Sequence, residues 1–119
     1  MFDNISIIGC GLIGSSILRA IRSKNLAKEI RIFDHSKEVI TYLKKENICT
    51  NVFNDIHQCT MNSDLIIIAT PLSSYKEIIL SIKDSLKKNA ILTDTGSVKK
   101  EVMKIMHNIN LKDIHWIPS

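Results

Sequence analysis

A glycine-rich turn near the N-terminus constrains the fold of this chain more than any other stretch. An apolar run from Ile5 to Ile8 is typical of a buried strand, and the six residues from Gly9 to Gly14 follow it directly. After the turn, Ile13, Ile17 and Ile21 recur at the spacing of one helix face. The sequence therefore predicts a strand, a tight turn and a helix in immediate succession.

Each of the three glycines in this turn has its own predicted role. Gly9 permits a sharp turn, Gly11 lets a phosphate group approach the bare backbone, and Gly14 lets the helix pack close to the strand. The unpaired N–H groups and the dipole at the helix N-terminus bind anions without a charged side chain. A second short strand ends at Asp34, about 20 residues after Gly14, where a carboxylate meets the adenosine ribose of a dinucleotide. The pattern thus predicts dinucleotide binding.

Composition places the chain among ordinary globular domains. Its 119 residues are 45% hydrophobic and 24% charged, which suits one domain with its own core. No apolar run approaches the ~18 residues of a membrane span, and the N-terminus lacks the basic region of a secretory signal. We therefore expect a cytoplasmic protein without a membrane partner. Cys10, Cys49 and Cys59 have no metal-ligand spacing, so we expect no metal site.

The basic charge of the chain does not predict a nucleic-acid partner. The net charge is +4, but the pairs Lys44-Lys45, Lys87-Lys88 and Lys99-Lys100 fall on different predicted helices. Only 5% of the residues are aromatic, so no stacking platform accompanies them. We interpret these lysines as solvated helix faces.

Strands and helices alternate along the whole chain. An uninterrupted apolar run from Leu65 to Ala69 indicates a strand that is covered on both faces, as in a parallel sheet flanked by helices. The connections imply right-handed crossovers. The predicted fold is therefore α/β, a Rossmann-type doubly wound parallel sheet with helices on both faces, forming one domain over residues 1–119. The other strands are predicted over 29–34, 48–53, 91–94 and 115–117, and the later helices over 36–47, 74–86 and 98–108, with a short turn or helix around 55–61.

Ligands of such sheets bind beyond the carboxyl ends of the strands, so three strand ends are candidate site segments: 9–14, 69–72 and 94–99. Ser97 has two interpretations, either a helix cap worth about 1 kcal/mol or a group that faces a ligand. Lys99 lies in a first helical turn, where a cation opposes the helix dipole. It either faces an acidic partner or substrate, or is solvated.

Four segments together resemble the cofactor domain of prephenate and arogenate dehydrogenases. They are Gly9 to Ser16, Asp34, Ser63 to Pro71, and Asp94-Thr95-Gly96-Ser97-Val98-Lys99, of which the last is the most specific. The resemblance spans essentially the whole chain. It implies an oxidoreductase in which a nicotinamide cofactor takes hydride from the ring carbon that bears the substrate's hydroxyl group. Ring decarboxylation then yields an aromatic product for tyrosine biosynthesis.

The resemblance also assigns roles to individual residues. Ser97 is the expected catalytic residue, beside the ring hydroxyl and a histidine of a His-Pro motif. Asp34 favours NAD because it repels a 2′-phosphate, but His35, Ser36 and Lys37 can hold such a phosphate, so NADP stays open. The residues expected to bind the cofactor are Gly9, Gly11, Leu12, Ile13, Gly14, Asp34, His35, Ser36, Ala69, Thr70, Pro71, Asp94 and Gly96.

The family's His-Pro motif would follow Ser119, and its helical second domain supplies dimer contacts and much of the substrate site. None of His35, His57, His107 and His115 matches the catalytic position. We therefore expect this chain to bind dinucleotide without turning over, as the cofactor half of a homodimeric enzyme that acts on a small-molecule substrate.

Two other functions stay open at this point. A related β-hydroxyacid dehydrogenase or pyrroline-carboxylate reductase would share the first half of the pattern. A non-catalytic nucleotide-sensing module also uses this fold. Prephenate and arogenate are not distinguished, because the discriminating residues would lie largely in the second domain.

Overall fold

The computed structural model describes residues 2–9, 11–45, 51–95, 103–104, 106 and 114–117. Strands and helices alternate in it, as predicted. The strands are β1 Phe2–Ile8, β2 Ala27–Phe33, β3 Val52–Phe53, β4 Leu65–Ile68, β5 Ala90–Asp94 and β6 Ile114–Ile117. The helices are α1 Leu12–Ser23, α2 Lys37–Lys45, α3 Ile56–Thr60 and α4 Tyr75–Ile82, and a 3-10 turn at Leu72–Ser74 precedes α4.

All six strands pair in parallel, in the order β3-β2-β1-β4-β5-β6. The chain winds outward from β1 in one direction and from β4 in the other, which confirms the predicted doubly wound sheet. At the centre, Ile8 of β1 is in register with Phe33 of β2 on one side and with Ile68 of β4 on the other. The strand order therefore reverses between β1 and β4, where a crevice opens beyond the carboxyl ends of the strands.

The centre of the sheet is buried on both faces. In β4, Ile66 and Ile68 belong to a cluster that includes Ile79 of α4. The intervening Ile67 belongs to a second cluster with Leu18 of α1, on the opposite face. Alternate side chains of one strand thus enter two different cores, which explains its continuous apolar run.

A single carboxylate ties the amino ends of the central strands together. Asp64, just before β4, accepts hydrogen bonds at Oδ2 from the backbone N–H groups of Asp3 and Asn4, each at 2.9 Å. Its Oδ1 accepts a hydrogen bond from the ammonium of Lys87. The hydrogen bond from Lys87, with the one from Asn4, lowers the pKa of Asp64. This cluster of Asp64, Lys87 and the start of β1 lies at the edge opposite the crevice, and we call it the amino-edge clamp.

The predicted end of the fourth helix is wrong. The helix ends at Ile82, and the Ser85 N–H donates to the Ile82 carbonyl over three residues, so the backbone has left the α-helix. Lys87-Lys88 accordingly lies in the connection to β5 and not on a helix, and Asn89 completes this connection with a φ of 68°.

Other predicted bounds differ less. β2 begins at Ala27, two residues before the predicted Glu29. The predicted third strand is described only at Val52–Phe53, because residues 46–50 lie outside the described residues. Within the predicted helix over 98–108, residues 103, 104 and 106 are helical, and the rest lies outside the described residues. No described helix has the length and apolar character that crossing a membrane requires.

Candidate nucleotide-binding site

The turn after β1 requires glycine at Gly9. Its φ is +90°, in the region that favours glycine, and its N–H donates to the Phe33 carbonyl at 2.7 Å. A Cβ placed on it would lie 2.7 Å from Thr70 Cγ2 and 3.1 Å from the backbone of Ala69. Backbone conformation and lack of space therefore both exclude a side chain.

Gly14 and Gly11 have opposite surroundings. A Cβ on Gly14 would overlap the Gly9 carbonyl oxygen and lie 3.7 Å from Ala69 Cβ, so α1 begins in direct contact with the end of β1. A Cβ on Gly11 would have no described heavy atom within 4 Å. The space beside Gly11 is open, at the end of a helix whose first N–H groups lack intrahelical partners.

The N-cap residue of α1 contributes no side chain to the helix N-terminus. Gly11 occupies the N-cap position, no side-chain cap hydrogen bond is made, and the first turn contains no acidic residue. The Ser15 N–H bonds to the Gly11 carbonyl at 2.9 Å, which closes the first turn. Cys10 and the side chains of Leu12 and Ile13 lie outside the described part of the chain. The turn presents backbone donors toward open space, which is the geometry of an anion cradle.

Asp34 is a buried carboxylate at the end of β2, only 8% exposed. Its Oδ1 accepts the Ser36 N–H at 2.9 Å, a turn that fixes the carboxylate in place. Ser36 in turn caps α2, because its carbonyl accepts the Ile40 N–H at 3.1 Å and its hydroxyl lies 3.4 Å from the Val39 N–H. The exposed His35 places Nδ1 3.9 Å from Asp34 Oδ1.

A cleft of about 390 Å³ lies beside the glycine turn. Its walls come from the ends of β1, β2 and β4 and from helices α3 and α4. At the small end of the range for ligand pockets, its volume suits part of a dinucleotide and not the whole molecule. The residues that line it are Gly9, Phe33, Asp34, His35, Ile56, Thr70, Ser74, Glu77, Ile78 and Ser81.

The cleft combines apolar and acidic walls. Phe33, Ile56 and Ile78 provide apolar surface, whereas Asp34 and Glu77 provide carboxylates. Among the described residues that line it, none is lysine or arginine. The cleft can therefore enclose a flat apolar group and accept hydrogen bonds, and its described lining offers an additional phosphate neither a lysine nor an arginine.

Sequence reasoning missed the contribution of α4 to this cleft. Ser74, Glu77, Ile78 and Ser81 all line it, and their spacing is that of one helix stripe. The stripe was visible in the sequence, but the apolar residues beside it identified only the face that packs on the core. Glu77 was therefore not among the predicted site residues.

In segment 69–72, after β4, Thr70 is the described residue that lines the cleft. Its buried Oγ1 has no hydrogen-bond partner in the part of the chain that is described. Ala69 donates its N–H to the Ile8 carbonyl at 2.8 Å, and the Pro71 carbonyl accepts the Ser74 N–H at 3.0 Å. Ala69 and Pro71 thus shape the segment without lining the cleft.

The third predicted strand end is only partly described. Asp94 ends β5 and is 2% exposed, and the next residue, Thr95, donates its N–H to the Ile68 carbonyl at 3.0 Å. Asp94 does not line the cleft that contains Asp34. Gly96, Ser97 and Lys99 lie outside the described residues, so their predicted roles remain predictions.

The other described histidines lie away from the cleft. His57 of α3 places Nδ1 3.5 Å from Ser85 Oγ. His115 is exposed on the edge strand β6, with Nε2 3.4 Å from Asn89 Oδ1. His107 lies outside the described residues. Within the described ranges, no three His, Cys, Asp or Glu residues are grouped so that they could hold a metal ion.

The structure combines a doubly wound parallel sheet with a glycine turn and a fixed carboxylate near the point where the strand order reverses. This combination defines a nucleotide-binding α/β domain. A family model described as "Prephenate dehydrogenase, nucleotide-binding domain" matches residues 17–119. The chain belongs to this family.

Individual relatives agree with the family model. The chain is 34% identical over 119 residues to a cyclohexadienyl dehydrogenase of Zymomonas mobilis, covering 100% of the chain and 40% of the relative. It is 30% identical over 106 residues to a prephenate dehydrogenase of Lactococcus lactis, covering 88% of the chain and 29% of the relative. The chain thus spans less than half the length of these curated relatives.

Solved structures share the fold. One is a prephenate dehydrogenase from A. aeolicus in complex with hydroxyphenyl propionate and NAD+, with a TM-score of 0.74 at 20% identity. The aligned region covers 96% of this chain and 40% of that structure. A 3-hydroxyisobutyrate dehydrogenase of Mycobacterium tuberculosis gives a TM-score of 0.77 at 11% identity, covering 99% of the chain and 40% of that structure. At these identities the likeness concerns the fold alone.

Proposed function

We propose that this chain is the NAD-binding part of an oxidoreductase that oxidatively decarboxylates prephenate or arogenate in tyrosine biosynthesis. One observation carries the proposal: the open backbone at Gly11 and the fixed carboxylate of Asp34 lie at the same edge of the sheet, beside one cleft. Membership in the prephenate dehydrogenase family supports this substrate class over the β-hydroxyacid alternative.

The residues present fit a dinucleotide. The open space at Gly11 admits a pyrophosphate that the first N–H groups of α1 would hold. Asp34 would accept hydrogen bonds from the adenosine ribose diol, and the cleft would hold the adenosine. Thr70 would stand next to the pyrophosphate, because its methyl group lies close to Gly9. The nicotinamide of the bound cofactor supplies the hydride acceptor.

The substrate side of the proposal rests on the family resemblance. Ser97 would orient the ring hydroxyl of the substrate, and Asp94 and Gly96 would support the cofactor from the end of β5. A general base in the His-Pro motif would accept the hydroxyl proton. We further propose a cytoplasmic homodimer that acts on a small molecule, with neither a nucleic acid nor a membrane as partner.

The first test of this proposal is cofactor binding. We expect isothermal titration of the chain with NAD to show one site per chain, and Gly11→Val to abolish it. A chain that folds but binds no NAD would overturn the proposal. The second test is NAD reduction by a version of the chain extended to the length of its relatives, with prephenate and with arogenate, set against 3-hydroxyisobutyrate as the competing substrate class.

A further inference from the structure

Glu77, an exposed acidic residue, lines the cleft that contains Asp34. The two residues come from different elements: Asp34 follows β2, whereas Glu77 lies in the first turn of α4. A glutamate in the first turn of a helix also interacts favourably with the helix dipole, but that interaction does not require the residue to face a cleft. Glu77 belongs to the stripe of α4 that lines the cleft.

The charges around the cleft are one-sided. Lys37, the nearest cation along the chain from Asp34, is exposed at the start of α2 and does not line the cleft. His35 lines it with a side chain that is 80% exposed, and Glu77 is exposed as well, so solvent partly screens both groups. A group with two further negative charges would therefore meet two carboxylates, and neither a lysine nor an arginine among the described lining residues.

We propose that Glu77 is a second determinant of cofactor choice, which excludes the 2′-phosphate of NADP by charge repulsion from the α4 wall. This inference rests on the proposed function, since it concerns the dinucleotide bound at Asp34. The two carboxylates act differently. Asp34 both binds the ribose diol and repels a phosphate, whereas Glu77 repels without holding the diol. Removing the charge of Glu77 therefore changes the affinity for NADP and leaves that for NAD nearly unchanged.

The test compares NAD and NADP affinities of the wild-type chain and of Glu77→Gln by isothermal titration. The glutamine has the same shape without the charge. We expect NADP to bind about fivefold more tightly to the variant at low salt, as one unit charge across a cleft predicts, and NAD to change by less than about twofold. The matched control is Asp84→Asn, which removes one carboxylate just beyond the other end of α4, where the side chain is 88% exposed. It should leave both affinities unchanged.

A salt series separates repulsion from a change of shape. Between about 0.01 M and about 1 M salt the Debye length falls from about 30 Å to about 3 Å, so the effect of Glu77→Gln should shrink strongly. An NADP to NAD ratio that is the same in wild type and variant at both salt concentrations would overturn the inference and leave the proposed function standing. A folded wild-type chain that binds neither cofactor would overturn both.

Discussion

At the scale of single residues, Gly11 separates ligand binding from folding. We predict that Gly11→Val weakens NAD binding by at least about 100-fold, because the added methyl groups occupy the space of the pyrophosphate. The fold should survive with a loss of about 1 kcal/mol, the cost of a poor N-cap. Titration with NAD and thermal unfolding of the same sample check both parts.

The contrasting variant is Gly14→Val. Its Cβ would overlap the Gly9 carbonyl oxygen, so we expect a large loss of stability in addition to lost binding. Normal NAD binding by Gly11→Val would show that the cradle is misplaced, and unfolding of that variant would show that Gly11 serves backbone geometry instead.

Asp34→Asn tests the charge of the other predicted contact. The asparagine oxygen can still accept the Ser36 N–H, so the turn into α2 is preserved. We predict that the variant binds NAD about tenfold more weakly, as expected for losing a charged acceptor. The ratio of NAD affinity to NADP affinity should also become smaller. Titrations with both cofactors measure this, and NADP binding tighter than NAD in the wild-type chain would contradict the assignment.

The residues of the site differ in how far the sequence revealed them. The glycines and Asp34 stand in a fixed spacing set by one strand, one turn and one helix, so local chemistry predicts them. Glu77 lines the cleft only because α4 is rotated about its own axis so that the stripe with Glu77 and Ser81 faces the cleft. That rotation depends on packing between elements distant in sequence, which no local pattern specifies.

At the scale of elements, the amino-edge clamp makes the stability of the sheet depend on pH. The hydrogen bond from Lys87 lowers the pKa of Asp64 in the folded state below its ordinary value of 3.8. The clamp therefore stabilises the fold above about pH 4 and loses this contribution as the pH falls through the lowered pKa. We predict that Asp64→Asn costs about 1 to 2 kcal/mol at pH 7.

Denaturant unfolding of wild type and Asp64→Asn at several pH values measures this. The difference between their free energies of unfolding should close as the pH falls through the lowered pKa of Asp64, where the wild-type carboxyl becomes protonated too. The exposed Asp84→Asn is the control and should show no such difference. A gap that persists unchanged at low pH would mean that shape, and not charge, makes Asp64 important.

Element prediction succeeded where burial leaves a continuous pattern and failed where the chain leaves a helix. β4 was predicted to within one residue because both of its faces are covered, so nearly every position is apolar. The fourth helix was predicted too long because Leu86 continues its apolar spacing. Leu86 does pack on the core, but from the connection after Ile82, and periodicity does not distinguish these two geometries.

At the scale of the whole molecule, we predict that the 119-residue chain binds NAD but does not oxidise prephenate or arogenate. A version extended to the length of its relatives should bind NAD and oxidise the substrate. General-base assistance is typically worth about 10² to 10⁴ in rate, and a serine hydroxyl is not basic near neutral pH. A closed cleft is also needed to position the substrate. The absorbance of reduced cofactor measures turnover, and comparable rates for the two versions would refute the proposed division of roles.

The two edges of the sheet have different consequences for how this protein can change. β1 is 7 residues long, so the amino-edge clamp lies about 20 Å from the glycine turn. Substitutions that far apart usually have additive effects on stability. Substitutions that stabilise the clamp edge, in evolution or in protein engineering, can therefore offset the stability lost through a later substitution at the ligand edge. The geometry in this way separates the clamp, where stability can be gained, from Asp34 and Glu77, where a substitution can change the cofactor preference.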